Sequence, residues 1–308
     1  MNLTTLNEAY GEPYVLATGG LLIGLLFGFF AQRSKFCLRA AVVEFWHRQF
    51  GEKLSVWLLT FSAAVIAIQG LIVLGDLDVS TARQLASRGS LSGALVGGLL
   101  FGAGMIMTRG CASRLLILSA NGNLRALLSG LVFAVTVQAT IGGWLAPLRN
   151  TLSQLWPVDG GASRDLLVLS GVGSVGGLLL STLVFVVGLV FFLRHHAGRW
   201  ALGLGATVTG LTIAMGWGLT QAVAGASFEP VAVQSLSFSG PSAEWLMRVL
   251  STAHAAHWGF DTGVLPGAFV GSLIGGLLGR EFRFEGFKTE NKLGHYLSGA
   301  ILMGFGAV

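Results

Sequence analysis

The sequence predicts an all-α, polytopic helical membrane protein with internal repeats and discontinuous or re-entrant half-helices. Three observations carry this prediction. Charge is scarce, at 11% of the 308 residues against 53% hydrophobic, where a soluble domain has about 25% charged residues. Several apolar runs are long enough to cross a hydrocarbon core of about 30 Å. They are continuous rather than alternating with period two, which specifies helices and not barrel strands. Finally, 46 glycines, about twice the usual share, recur in segments that resemble one another.

In chain order the spans are Val15–Ala31, Leu54–Leu74, Leu91–Thr108, Leu124–Ala146, Gly171–Leu193, Ala201–Gln221 and Thr262–Gly279. A last run, Gly294–Val308, reaches the final residue. With the N-terminus outside, the segments after the first, third, fifth and seventh spans face the cytoplasm. They hold Arg33, Lys35, Arg39, Arg48, Lys53, then Arg109, Arg114, Arg125, then Arg194, Arg199, then Arg280, Arg283, Lys288 and Lys292. These are fourteen of the 19 basic residues, as the positive-inside rule requires. Arg83, Arg88, Arg149, Arg164 and Arg248 fall outside. The net charge of +5 therefore reports orientation and calls for no nucleic acid. The first basic residue, Arg33, follows the first apolar run, so no basic n-region of a cleaved signal peptide is visible. Two cysteines on separate segments can form a disulfide only if the fold brings them together, which sequence does not decide.

The repeat is marked by glycine. The segments are "GLLIGLLFGFFAQRSKFC" (20–37), "GALVGGLLFGAGMIMTRGC" (93–111), "GLTIAMGWGLTQAVAG" (210–225) and "GAILMGFGAV" (299–308). Gly28 precedes Cys37 by nine residues, Gly102 precedes Cys111 by nine, and Gly216 precedes Gly225 by nine. Gly304 places the fourth equivalent at position 313, beyond Val308. In a bilayer, glycine lets helix backbones approach closely, since lipid supplies no hydrophobic force between helices; Gly28, Gly102 and Gly304 are the expected close-packing positions. Gly110–Cys111 at the end of an apolar run suits the tip of a discontinuous helix, whose backbone N–H groups hold anions in transporters. The same residues also admit a plainer reading, with glycines serving packing alone and both cysteines as inert small hydrophobes.

The stretches "GFFAQRSKFCLRAA", "GGLLFGAGMIMTRGCAS", "GREFRF" and "LSGAILMGFGAV" resemble the YeeE/YedE family of bacterial membrane proteins, which take up sulfur-containing ions, thiosulfate above all. The resemblance covers nearly the whole chain. It implies a single transmembrane transporter domain in the bacterial inner membrane and a narrow path lined by three cysteines. Cys37 and Cys111 match the first two. The third should follow "GFGA" near position 313, so the resemblance implies a chain cut short before a further Gly-Cys motif. It also implies relay of the anion by transient hydrogen bonding to thiols, and a cytoplasmic sulfur-carrier protein as partner. Arg109 and Arg114 add positive charge beside the second cysteine, and Gln32 and Arg33 are candidates for the inner mouth, Arg33 reading more readily as a positive-inside anchor.

Other polar groups weigh less. His195–His196 read as a solvated cytoplasmic turn. His254 and His257 have i,i+3 spacing but no third ligand, so no metal site is expected. "GVGSVG" (171–176) fits a dinucleotide fingerprint but opens a span with no preceding soluble strand, and no ATP-binding motif occurs, so no cofactor is expected. The polar segment 227–245, with Glu229 and Pro241, reads as an outer connection that shapes the entrance or serves as an ordinary loop. Two rival functions stay open: a membrane-embedded sulfurtransferase carrying a cysteine persulfide, and a structural or partner-anchoring subunit. A selenium-compound transporter belongs to the preferred class.

Overall fold

The computed structural model describes residues 3–82, 87–161, 164–196, 198–227, 229–250, 258–286 and 293–308. Among them the helices are α1 (Leu3–Tyr10), α2 (Glu12–Arg33), α3 (Leu38–Trp46), α4 (Glu52–Leu74), α5 (Leu91–Met107), α6 (Ala112–Ala120) and α7 (Leu124–Gly142). They continue as α8 (Ala146–Gln154), α9 (Leu166–Leu169), α10 (Ser174–His195), α11 (Trp200–Gly225), α12 (Ser239–Leu250), α13 (Phe260–Leu278) and α14 (Leu293–Gly306). Seven helical segments among the described residues are long and apolar enough to cross a membrane. The only sheet there is a two-residue antiparallel pair, β1 (Gly89–Ser90) with β2 (Pro157–Val158). The protein is a multi-pass, all-α membrane protein.

Most spans match the apolar runs to within a turn. The run from Leu124 stops at Gly142 rather than Ala146, because Leu145 turns back onto the Ala139 carbonyl and α8 begins with Pro147 in its first turn. The run from Gly171 starts as a helix only at Ser174, because Gly171 takes φ 68° after the short α9.

Two helix pairs hold the centre by backbone contact. A Cβ on Gly24 would lie 2.4 Å from the Val264 carbonyl oxygen, and one on Gly28 would lie 2.1 Å from that of Ala268. The partner helix answers in kind: Cβ atoms on Gly263, Gly267 and Gly271 would lie 1.9, 2.2 and 2.0 Å from the carbonyls of Ala17, Leu21 and Leu25. Thus α2 and α13 touch without side chains between them. In the second pair, α5 and α14, Gly104 meets the Gly299 carbonyl and Gly306 meets that of Gly97, each at 2.4 Å from the added Cβ. Gly304 faces α7, where its Cβ would lie 2.9 Å from the Phe133 carbonyl. Gly102 departs from expectation. It faces open space, with nothing within 4 Å of an added Cβ, so the repeat's spacing does not make it a packing position.

The segment after α11 re-enters the protein. The Ser235 hydroxyl donates to the Ile213 carbonyl at 2.6 Å, twelve residues back from the end of α11, or roughly 18 Å at 1.5 Å per residue. Thr220 holds the returning strand: its hydroxyl accepts from the Gln234 N–H at 3.1 Å and donates to the Gln234 carbonyl at 2.7 Å. Irregular backbone at this depth is tolerated when it is buried in protein and its polar groups are paired. Phe238 then packs on Phe27, ring centroids 5.1 Å apart, and α12 leads outward. Thr220→Val keeps the shape but strands both Gln234 groups, a loss of about 1–3 kcal/mol for buried unpaired polar atoms. Denaturation of the purified variant is expected to show that loss, and an unchanged midpoint would mean that water replaces the hydroxyl.

Candidate functional site: two cysteine-bearing helix breaks

The two cysteines sit at matching breaks. At the end of α2, Ser34 N–H bonds the Phe30 carbonyl, Lys35 N–H that of Gln32, and Phe36 N–H that of Ala31. At the end of α5, Thr108 bonds Gly104, Arg109 bonds Ile106, and Gly110 bonds Met105. Both turns are Schellman closures, whose left-handed residue is ordinarily glycine. Here it is Lys35 (φ 54°) in one and Arg109 (φ 60°) in the other. Cys37 is then the N-cap of α3 and Cys111 the N-cap of α6, with extended backbone and no capping hydrogen bond from the side chain. The first amides of both short helices therefore lack a side-chain cap and sit at the positive end of the helix dipole.

Packing brings the breaks together. Leu38, next to Cys37, packs on the buried cluster of Met105, Cys111, Leu115, Ala126 and Ala243. A second cluster joins Phe36 with Leu116, Leu236 and Phe238. Three short helices, α3, α6 and α12, thus meet through their N-terminal turns or the residues just before them. Both cysteines are free thiols, Cys37 half-buried and Cys111 buried, and the Cys111 sulfur lies 3.4 Å from the Ser113 hydroxyl.

A polar string runs beside them. Arg114 Nη1 donates to Gln32 Oε1 at 3.5 Å, and Gln32 Nε2 donates to Glu281 Oε2 at 2.8 Å. Lys35 Nζ lies 3.2 Å from Glu281 Oε1. The Gln32 amide is oriented as the two charges demand, oxygen toward guanidinium and nitrogen toward carboxylate. Glu281 follows a third closure of the same kind after α13: Arg280 takes φ 51°, and the Glu281 N–H bonds the Gly276 carbonyl at 2.8 Å.

Of the residues expected on a path, Gln32 and Arg114 are thus in contact, while Cys37 and Cys111 head the adjoining short helices. Gly110 is buried in the second closure. Arg33 is exposed and lies against Gly279. Arg109 is exposed and reaches over the Tyr296 ring at 5.7 Å, which Arg125 also covers at 4.6 Å, so it serves a separate contact. His196, expected in solvent, is only 3% exposed: it stacks on Phe192 at 4.7 Å, and its Nε2 lies 3.2 Å from the Glu52 carbonyl. His254 and His257 lie outside the described residues. Sequence reasoning missed Glu281 and the α12 contribution. The available signal was an apolar run ending in a small residue and then a basic one, shared by Ser34–Lys35, Thr108–Arg109 and Gly279–Arg280.

Magnitudes bear on why Lys35 is there. A left-handed non-glycine residue costs about 1–2 kcal/mol. An exposed ion pair returns about 0–1 kcal/mol, and Lys35 and Glu281 are 56% and 33% exposed. Stability alone does not account for a lysine at this position. Lys35→Gly is therefore expected to leave thermal unfolding in detergent unchanged or shifted upward. A clear drop would show that the ion pair holds the break.

Comparison with known proteins agrees with this picture. The pattern described as sulphur transport matches residues 33–308. The thiosulfate transporter TsuA of Escherichia coli K12 is 24% identical over 96% of this chain and 84% of its own length. The protein of the same name from Spirochaeta thermophila is 25% identical over 94% of this chain and 86% of its own. With that match spanning both cysteine breaks and the Glu281 turn, the chain belongs to the sulphur transport family.

Proposed function

We propose that the chain carries thiosulfate, or a closely related small sulfur-containing anion, across the bacterial inner membrane, with Cys37 and Cys111 as successive stations. The observation that supports this most is the pair of like-built helix breaks, each headed by a thiol and packed into adjoining clusters. A dianion is costly to bury unpaired. Here it would meet the uncapped amides of α3 and α6, two thiol donors, and the positive charge of Arg114 and Lys35. Relay by hydrogen bonding requires the thiol form, because a thiolate repels an incoming anion. The names of the two relatives support thiosulfate as the substrate. The positive-inside count supports an N-terminus outside, which places both breaks toward the cytoplasm, where a sulfur-carrier protein is a fitting receiver.

The test is uptake of radiolabelled thiosulfate by sealed proteoliposomes containing the purified chain. Label recovered inside as intact thiosulfate supports transport. Label trapped on the protein as persulfide overturns it in favour of a sulfurtransferase. Uptake that a selenium compound or another sulfur ion displaces far better than thiosulfate keeps the transporter class and changes its substrate.

A further inference from the structure

A carboxylate beside an anion route needs a reason. Glu281 accepts from Gln32 Nε2 at 2.8 Å and meets Lys35 Nζ at 3.2 Å, so it occupies the donors that an incoming oxyanion would use. Gln32 is 5% exposed and its other amide atom faces Arg114. The string therefore holds two cations and one carboxylate. The backbone on both sides is fixed by closed turns at Lys35 and Arg280, so the Glu281 side chain is the part free to leave.

We propose that Glu281 is a tethered competitor that makes the site selective for dianions over monoanions. A side chain fixed this close competes at an effective concentration that a free monoanion does not match. Exchanging its single charge for chloride gains nothing electrostatically. Exchanging it for a doubly charged oxyanion gains one charge's attraction to Lys35 and, through Gln32, to Arg114. The displaced carboxylate swings toward solvent, to which it is already one-third exposed. This rests on the transport reading for the identity of the anion, but not for the competition itself. A merely structural ion pair predicts the opposite sign: removing its charge would loosen the cradle and weaken anion binding.

The experiment is equilibrium binding of radiolabelled thiosulfate and sulfate to the purified full chain in detergent. Ionic strength is held constant while chloride replaces gluconate, at about 0.15 M, where the Debye length is about 8 Å. Glu281→Gln is expected to bind both anions about tenfold tighter in gluconate, a change of about 1.4 kcal/mol. Chloride is expected to weaken binding severalfold in that variant and hardly at all in the unmodified protein. Glu281→Ala should behave like Glu281→Gln, and Lys35→Gln should loosen binding in either background. Unchanged or weaker binding in both Glu281 variants, equal sensitivity to chloride, or no detectable binding by any form overturns the proposal. If the unmodified protein fails to transport thiosulfate while the Glu281 variants show the expected shifts, the transport reading falls and the role of Glu281 stands.

Discussion

Cys111→Ala is expected to cut thiosulfate uptake by roughly 10- to 150-fold, the equivalent of one hydrogen bond to a charged group at about 1.5–3 kcal/mol. Cys37→Ala should do the same, because the two thiols head like-built helix starts and act in series. Loss of either station leaves the anion with an uncompensated step. Neither change should unfold the protein. Both residues lie at N-caps without a capping hydrogen bond, and only one sulfur atom leaves the packing around Leu38, Met105 and Ala243. Cys111→Ser separates the chemistries. A hydroxyl still donates, so relay should survive in part, whereas a persulfide carrier would be as inactive with serine as with alanine. Uptake preserved in both alanine variants would reduce the cysteines to packing residues.

Gly267→Val should be more damaging than any change at the polar string. Its first added carbon would lie 2.2 Å from the Leu21 carbonyl oxygen and 3.0 Å from the Leu21 carbonyl carbon and Cα. Those are backbone atoms in the middle of α2, so no side chain can rotate away. Overpacking a core costs about 1–3 kcal/mol even where side chains yield, and here two whole helices must separate. Gln32 near the end of α2 and Glu281 just beyond α13 would lose register with them. The control is Gly102→Val, which enters open space and should stay within about 0.5 kcal/mol of the parent, as ordinary surface changes do. Fluorescence-detected size-exclusion profiles after graded heating would rank the three proteins. Equal tolerance of both substitutions would mean that α2 and α13 are not in backbone contact.

The spans were legible because a bilayer leaves little choice: an apolar run bounded by charge has to be a helix. The two cysteine breaks were legible for a related reason, since Arg33–Lys35 and Arg109–Gly110 interrupt runs that would otherwise continue. Residues 210–225 were legible only in part. They share the nine-residue glycine spacing, and α11 likewise runs through Gly216 and ends at Gly225, but no basic left-handed closure and no cysteine follow it. The re-entrant residues 229–238 were hidden by their polarity, which matches that of an outer loop. The Thr220 bonds to Gln234 and the Ser235 bond to Ile213 place them against α11. Glu281 was invisible as a site residue, because its partner Gln32 is 249 positions away and meets it, like Lys35, only when α2 lies on α13.

The contact between α2 and α13 also restricts how the protein can move. Glycines four apart on one helix sit against carbonyls four apart on the other, like a rack and its pinion. A slide of less than one helical turn, about 5.4 Å, takes each glycine off the carbonyl it faces and brings a residue with a side chain into its place. The two helices therefore travel as one body. Any movement that accompanies passage of an ion carries α2 and α13 together.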